Sequence, residues 1–172
     1  MMDAFEAVRT LLAVRSYQDK PVPEASLRRI LEAGRLTGSS MNGQPWHFVV
    51  IQNRDTLRQL GSLLRTGSYV AQAPLAIVVV IDHTTYAISD ASRAIQSMLL
   101  TAWTYGLGSN WVGFGGLDQI KPLLGIPAEM EVFAVLPIGY PKDEIKGQGK
   151  KRRKALSEVA YREQWGQPFA RD

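Results

Sequence analysis

The chain contains no cysteine. That absence excludes disulfides, thiolate metal sites and cysteine nucleophiles, so any chemistry has to come from oxygen and nitrogen groups or from a cofactor. Histidine is scarce as well. His47 and His83 are the only two; both fall beside expected strands without a companion at metal-ligand spacing, which favours ordinary structural roles over a metal site. No apolar run approaches the roughly 20 residues needed to span a bilayer. The opening MMDAFEAVRT carries acids and no apolar core of signal-peptide length. A soluble, cytoplasmic protein without a membrane partner is expected. Hydrolytic motifs are missing too: no Ser lies in a G-x-S-x-G elbow, and the acids are scattered over expected helix surfaces.

What is present suffices for one well-packed core. The 172 residues, nearly half of them hydrophobic, read as a single domain, 1–172, with a basic C-terminal segment at 142–172. The formal charge of +4 has a local source. Lys146, Lys150, Lys151, Arg152, Arg153 and Lys154 lie within nine positions, and without them the balance turns slightly acidic. Such a run binds a phosphate or a nucleic acid, or is simply a solvated tail. It lacks interleaved aromatics, which argues against nucleic acid.

Phe5, Val8, Leu11 and Leu12 recur at helical spacing and predict an opening amphipathic helix of about three turns. Pro23 and Glu24 suit the first turn of a second helix, whose inner stripe is Leu27, Ile30, Leu31 and Gly34. A loop without apolar periodicity, Thr37 to Pro45, leads into a strand from Trp46 to Ile51. Asn53 is placed to cap a third helix with Leu57, Leu60, Leu63 and Leu64 inside. The run LAIVVVI after Pro74 is too uniformly apolar for a half-exposed strand and belongs in the centre of a sheet. Between Ser89 and Tyr105, seven apolar positions from Ala91 to Trp103 share one face of a core helix, which Gly106 and Gly108 can end. A short strand around Trp111, a helix from Asp118 to Leu124 and a strand from Glu131 to Ile138 complete an α+β layer sandwich, one sheet flanked by helices.

The glycine-rich stretch GLGSNWVGFGG, Gly106 to Gly116, invites a dinucleotide reading and fails it. In G-x-G-x-x-G register the third glycine would be Trp111, and the segment follows a helix rather than a strand. Two readings stay open: a backbone that closely approaches something flat, or a helix stop followed by a strand, which leaves Gly113, Gly115 and Gly116 unexplained.

Taken together, VRSYQDKPVP, LRRILEAGRL, SSMNGQPWHFVV, GLGSNWVGF and VLPIGYP resemble the landmarks of the FMN-dependent nitroreductase family, in the family's order and over about residues 5 to 156. The resemblance implies an α+β fold with a central mixed sheet flanked by helices, and a homodimer holding two FMN molecules at the subunit interface, each touched by both chains. On matching positions, Ser39, Ser40 and Asn42 would contact the flavin or its ribityl chain, with Gln44 beside them; hydroxyls and amides satisfy such heteroatoms without imposing charge. Trp111, Val112 and Gly113 would present backbone to the reactive ring, and Lys151 and Arg153 would hold the phosphate. The flavin would carry the chemistry, with NAD(P)H as donor and a nitroaromatic, quinone or related small-molecule acceptor served in ping-pong fashion through N5, so no catalytic side chain is expected. Enoate reduction, dehalogenation or non-catalytic flavin binding on the same scaffold are alternatives that sequence does not separate.

One departure stands out. Family members commonly carry Arg-Arg-Ser or Arg-His-Ser in the first helix to grip the phosphate, and the corresponding positions here are Leu11, Leu12 and Ala13. Arg15 survives two places later, four residues from position 11 and so on nearly the same face of the expected helix; Arg9 is another nearby cation. Either could replace the missing contacts in part, or Arg15 could polarise the flavin's pyrimidine edge.

Overall fold

The structure is a computed structural model that describes residues 2–113, 115, 117–145, 147 and 149–169; Gly116 and Lys146 lie outside the described residues. The element order is α1 (Ala4–Thr10), α2 (Glu24–Arg35), β1 (Trp46–Ile51), α3 (Arg54–Leu63), β2 (Leu75–Ile81), α4 (Ala87–Thr104), β3 (Gly108–Ser109), α5 (Lys121–Leu124) and β4 (Glu131–Gly139). The strands lie in the order β1-β2-β4-β3, and every neighbouring pair is antiparallel. Among the described residues, the parallel component of the expected mixed sheet is confined to one bridge, Ala13 to Ser109.

β2 is the axis of the molecule. All seven of its residues are buried, and their alternation divides the core in two. Leu75, Ile77, Val79 and Ile81 face α2 and α4, packing on Leu27, Ile30, Ile95 and Met98. Ala76, Val78 and Val80 face the other layer, where α3 contributes Leu57 and Leu60. Each fully buried Leu or Ile contributes about 1.5–3 kcal/mol relative to exposure, which makes this double-faced strand the main source of cohesion. The register between β2 and β4 shifts once: Val79 pairs with Ala134 but Val80 with Val132, leaving Phe133 as an extra residue in β4. Such a bulge re-aims the side chain it displaces, and Phe133 meets Trp111 edge-on with ring centroids 5.4 Å apart.

Several local signals act as their chemistry requires. The Asn53 side chain accepts from the N–H groups of Asp55 and Thr56, capping α3. Gly106, at φ 71°, takes the left-handed turn that ends α4. Gly108 serves a different purpose, since a Cβ there would stand 2.5 Å from Val14. The expected helix at 118–124 is a 3₁₀ turn, Leu117–Ile120, running into the single turn of α5. The strand expected around Trp111 is broken: β3 ends at Ser109, and pairing resumes only at the Val112–Val135 bridge.

The N-terminus departs furthest from expectation. Asp3 caps α1 by accepting from the Glu6 N–H at 2.7 Å, but the helix stops at Thr10 because Leu11 turns to φ −51°, ψ 125°. The chain then runs alongside β3, with the Val14 N–H donating to Ser109 at 2.9 Å. Leu11 and Leu12 are therefore not on the helix, and Phe5 and Val8 are 74% and 50% exposed rather than facing a core. Arg15 accordingly does not share a helix face with position 11. Among the described residues, no helix is long and apolar enough to cross a membrane.

Candidate functional site

The fold brings four chain segments together around a cavity of about 600 Å³: the end of α1 with the extended residues after it, the middle of α4, the end of β3 with the stretch after it, and the basic C-terminal segment. Arg9, Lys151 and Arg153 supply its charge, and among the described residues no acid lines it. Leu11, Leu12, Leu99 and Trp111 supply apolar wall. The Lys151 ammonium donates to the Val8 carbonyl at 2.5 Å. Burial, and next the charge of Arg153, hold the Lys151 pKa below its ordinary value, as happens when like charges gather without a counterion. Arg153 donates to the Arg152 carbonyl at 2.8 Å. Arg9 is gripped by Glu6 through two bonds of 2.8 and 2.6 Å.

Ser109 is among the residues lining this cavity, and its hydroxyl is the one buried side-chain polar atom without a hydrogen-bond partner among the described residues. Buried polar groups are almost always paired, so an unpaired one beside a cavity marks a place for a ligand's polar atom. Three cations, an orphaned hydroxyl and apolar side chains that include an aromatic make a lining that fits an anion attached to a flat, largely apolar body.

The second predicted region, SSMNGQPW, is built by other means. Its centre is a short 3₁₀ turn, Ser40–Asn42, and Met41, Asn42 and Gln44 all take left-handed backbone angles, φ 50°, 56° and 48°. Such conformations cost of order 1–3 kcal/mol for non-glycine residues and persist only where the surroundings hold them. Ser39 and Asp90 do the holding. The Ser39 hydroxyl accepts from the Gln44 N–H at 3.0 Å. Asp90, only 1% exposed on α4, accepts from the Ser40 N–H at 3.0 Å and the Ser40 hydroxyl at 3.2 Å, and it also pairs with Arg93. Burial pushes the Asp90 pKa up, but the Ser40 N–H, Arg93 and the Ser40 hydroxyl outweigh it and leave the carboxyl below its ordinary value. Sequence reading placed the acids on helix surfaces and missed this one. The signal was there, because Asp90 lies on the same face as Ala87, Ala91 and Ala94, and a carboxylate on a buried stripe requires partners.

The ten sequence-predicted residues thus do not gather in one place within a chain. Lys151, Arg153 and Trp111 line the cationic cavity; Ser39, Ser40, Asn42 and Gln44 do not. Ser40 and Asp90 instead border a smaller hollow of about 210 Å³ with Tyr86. Arg15 is exposed and away from the cationic cavity. Val112 is 2% exposed, and both its N–H and its carbonyl are taken by Val135, so its N–H is not available to a flavin ring. Gly113 makes room for a side chain of its own chain: a Cβ there would stand 2.6 Å from the Trp111 indole nitrogen. His47 and His83 each meet one carboxylate, Asp82 at 3.1 Å and Glu131 at 3.8 Å.

The antiparallel sheet and its flanking helices have known counterparts. The chain belongs to the nitroreductase family, whose model matches residues 12–85 and 64–140. A Methanothermobacter thermautotrophicus protein, provisionally named NADH dehydrogenase/NAD(P)H nitroreductase, is 36% identical over 83% of this chain and 79% of its own. An FMN-dependent nitroreductase structure from Clostridium difficile superposes at TM-score 0.78 with 29% identity, covering 83% of this chain and 90% of that one. A structure from Bacteroides thetaiotaomicron, also provisionally named NADH dehydrogenase/NAD(P)H nitroreductase, reaches TM-score 0.84 with 27% identity over 92% of this chain and 96% of that one.

Proposed function

We propose that this protein is an FMN-dependent oxidoreductase that takes electrons from NAD(P)H and delivers them to nitroaromatic, quinone or related small-molecule acceptors, working as a homodimer. The observation that carries the reading is the cavity that Lys151, Arg153 and Ser109 line together, with no acid among its described lining residues and the buried Ser109 hydroxyl left without a partner. Lys151 and Arg153 would hold the phosphate through charge-assisted bonds. Trp111, steadied by Phe133, would flank the flat ring system, and Ser109 would find its partner among the cofactor's polar atoms. FMN held there would supply the two-electron redox chemistry between a nicotinamide donor and the acceptor. The chain's own residues bind, orient and keep water from the ring; none is required as acid or base.

Two features support the dimer. The loop from Ser39 to Gln44 lines no part of its own chain's cationic cavity, yet Asn42 and Gln44 are exposed, the Gln44 amide donating to the Asn42 carbonyl at 3.2 Å. α1 exposes Phe5 and Val8, and Val8 borders the cavity. In this reading one chain brings the cations and its partner brings the loop.

The test is spectroscopic. The purified protein, or protein given FMN and freed of excess, should show a flavin band that bleaches with NADH or NADPH under anaerobic conditions and returns on adding a quinone or nitroarene. Protein that stays colourless after FMN is offered would overturn the proposal.

A further inference from the structure

Under the flavin reading, on which this inference rests, the phosphate site has a gap. Positions 11 to 13 line the cavity, but Leu11, Leu12 and Ala13 offer a phosphate no side-chain donor. Arg15, the nearest basic residue downstream, is exposed and outside the cavity. Arg9 is inside it.

An Arg paired to a Glu three residues away on a surface helix is ordinarily a solvated ion pair worth little. Three observations separate Arg9 from that case. Its third nitrogen reaches across the fold to the Gly149 carbonyl at 3.4 Å, a long contact that can be given up to a stronger acceptor. Gly149 takes a left-handed angle, φ 71°, and a Cβ there would run into the Arg9 guanidinium, so arginine and tail are fitted to each other. Lys151, two residues further along that tail, binds the carbonyl of Val8, the residue before Arg9. Arg9 therefore reaches the tail's backbone while Lys151 reaches back to the backbone of α1, so the two cations tie the same two segments together from opposite sides, and Arg153 lines the cavity with them. The Glu6 fork holds the guanidinium in place before any ligand arrives, which lowers the ordering cost of binding.

We propose that Arg9 takes over from the missing first-helix triplet, forming with Lys151 and Arg153 a three-cation seat for the FMN phosphate. FMN and riboflavin differ only in that phosphate, so the ratio of their affinities isolates the seat. The experiment measures both by quenching of flavin fluorescence on the full-length apoprotein, with wild type, Arg9→Ala, Arg9→Glu and Arg15→Ala at one ionic strength.

The wild type should prefer FMN. Arg9→Ala should lose about tenfold or more in FMN affinity, the scale of one hydrogen bond to a charged group. Arg9→Glu should lose more, and riboflavin binding should hold steady in both, which also reports that the variants are folded. Arg15→Ala should leave the ratio unchanged. An FMN-to-riboflavin ratio that Arg9→Ala and Arg9→Glu do not move overturns the proposal. A wild type that binds the two flavins equally overturns the phosphate seat alone, and one that binds neither takes the flavin reading down with it.

Discussion

The loop from Ser39 to Gln44 and the cavity around Lys151 are held in opposite ways. In the loop, strained backbone is stabilised by groups of the same chain: the Asp90 carboxylate takes both donors of Ser40, and the Ser39 hydroxyl takes the Gln44 N–H. In the cavity the balance is left open: among the described residues only Arg9 of its three cations is paired to an acid, Glu6, and the Ser109 hydroxyl has no partner. The loop is completed by folding, whereas the cavity is completed by a ligand. Damage to the first should therefore cost stability and function together, and damage to the second should cost function alone.

The largest effect is expected from removing the cavity's charge. Lys151→Ala combined with Arg153→Ala should weaken FMN binding by about a hundredfold or more, two charge-assisted bonds' worth, while the thermal midpoint of the apoprotein does not fall. Calorimetry of binding and of unfolding checks both halves of that statement. Arg152→Ala, on an exposed neighbour, is the control and should leave affinity unchanged. A lower midpoint in the double variant would break the comparison, because it would give the basic tail a structural role.

Asp90→Asn sharpens the contrast from the other side. It should lower the melting temperature and FMN affinity together, the latter several-fold, through a loop that no longer keeps its shape. The pH dependence carries a sign. Folding lowers the Asp90 pKa, so its contribution to stability is present at neutral pH and is lost as pH falls below the ordinary carboxylate value of about 4. The difference in melting temperature between wild type and Asp90→Asn should shrink on acidification through that range. A difference that stays constant down to pH 3 would mean that the charge of Asp90 is not what holds Ser40.

The smallest effect belongs to a residue in neither region. Asn53→Ala removes the cap of α3 and should cost about 1 kcal/mol of stability, with FMN affinity unchanged. An accompanying loss of affinity would show that global loosening is enough to weaken the site, and the Asp90 result would lose its meaning.

Legibility from sequence depends on how local the cause is. β2 is readable because a strand covered on both faces needs seven apolar residues in a row. The Asn53 cap and the α2 stripe are readable because both depend on neighbours within four positions. The end of α1 is not readable in this way: Leu11 and Leu12 continue the helical pattern, and what overrides it is pairing of Ala13 with Ser109, 96 positions away. Gly113 is opaque for the same reason, since its partner is the orientation that Phe133 gives Trp111. The motif SSMNGQPW identifies the family without revealing that Ser40 faces inward to Asp90, and the basic run does not indicate that Arg9 joins it from the other end of the chain.

Under the proposed dimer, the separation of loop and cavity within one chain carries a genetic consequence. In a two-fold dimer whose sites each draw on both chains, lesions in different regions fall in different places. A subunit damaged only at Asp90 still offers a sound cavity, and one damaged only at Lys151 and Arg153 still offers a sound loop. Paired in one cell, two such alleles rebuild one working site per mixed dimer, whereas two alleles broken in the same region rebuild none. Loop and cavity would behave as separate complementation groups within a single reading frame.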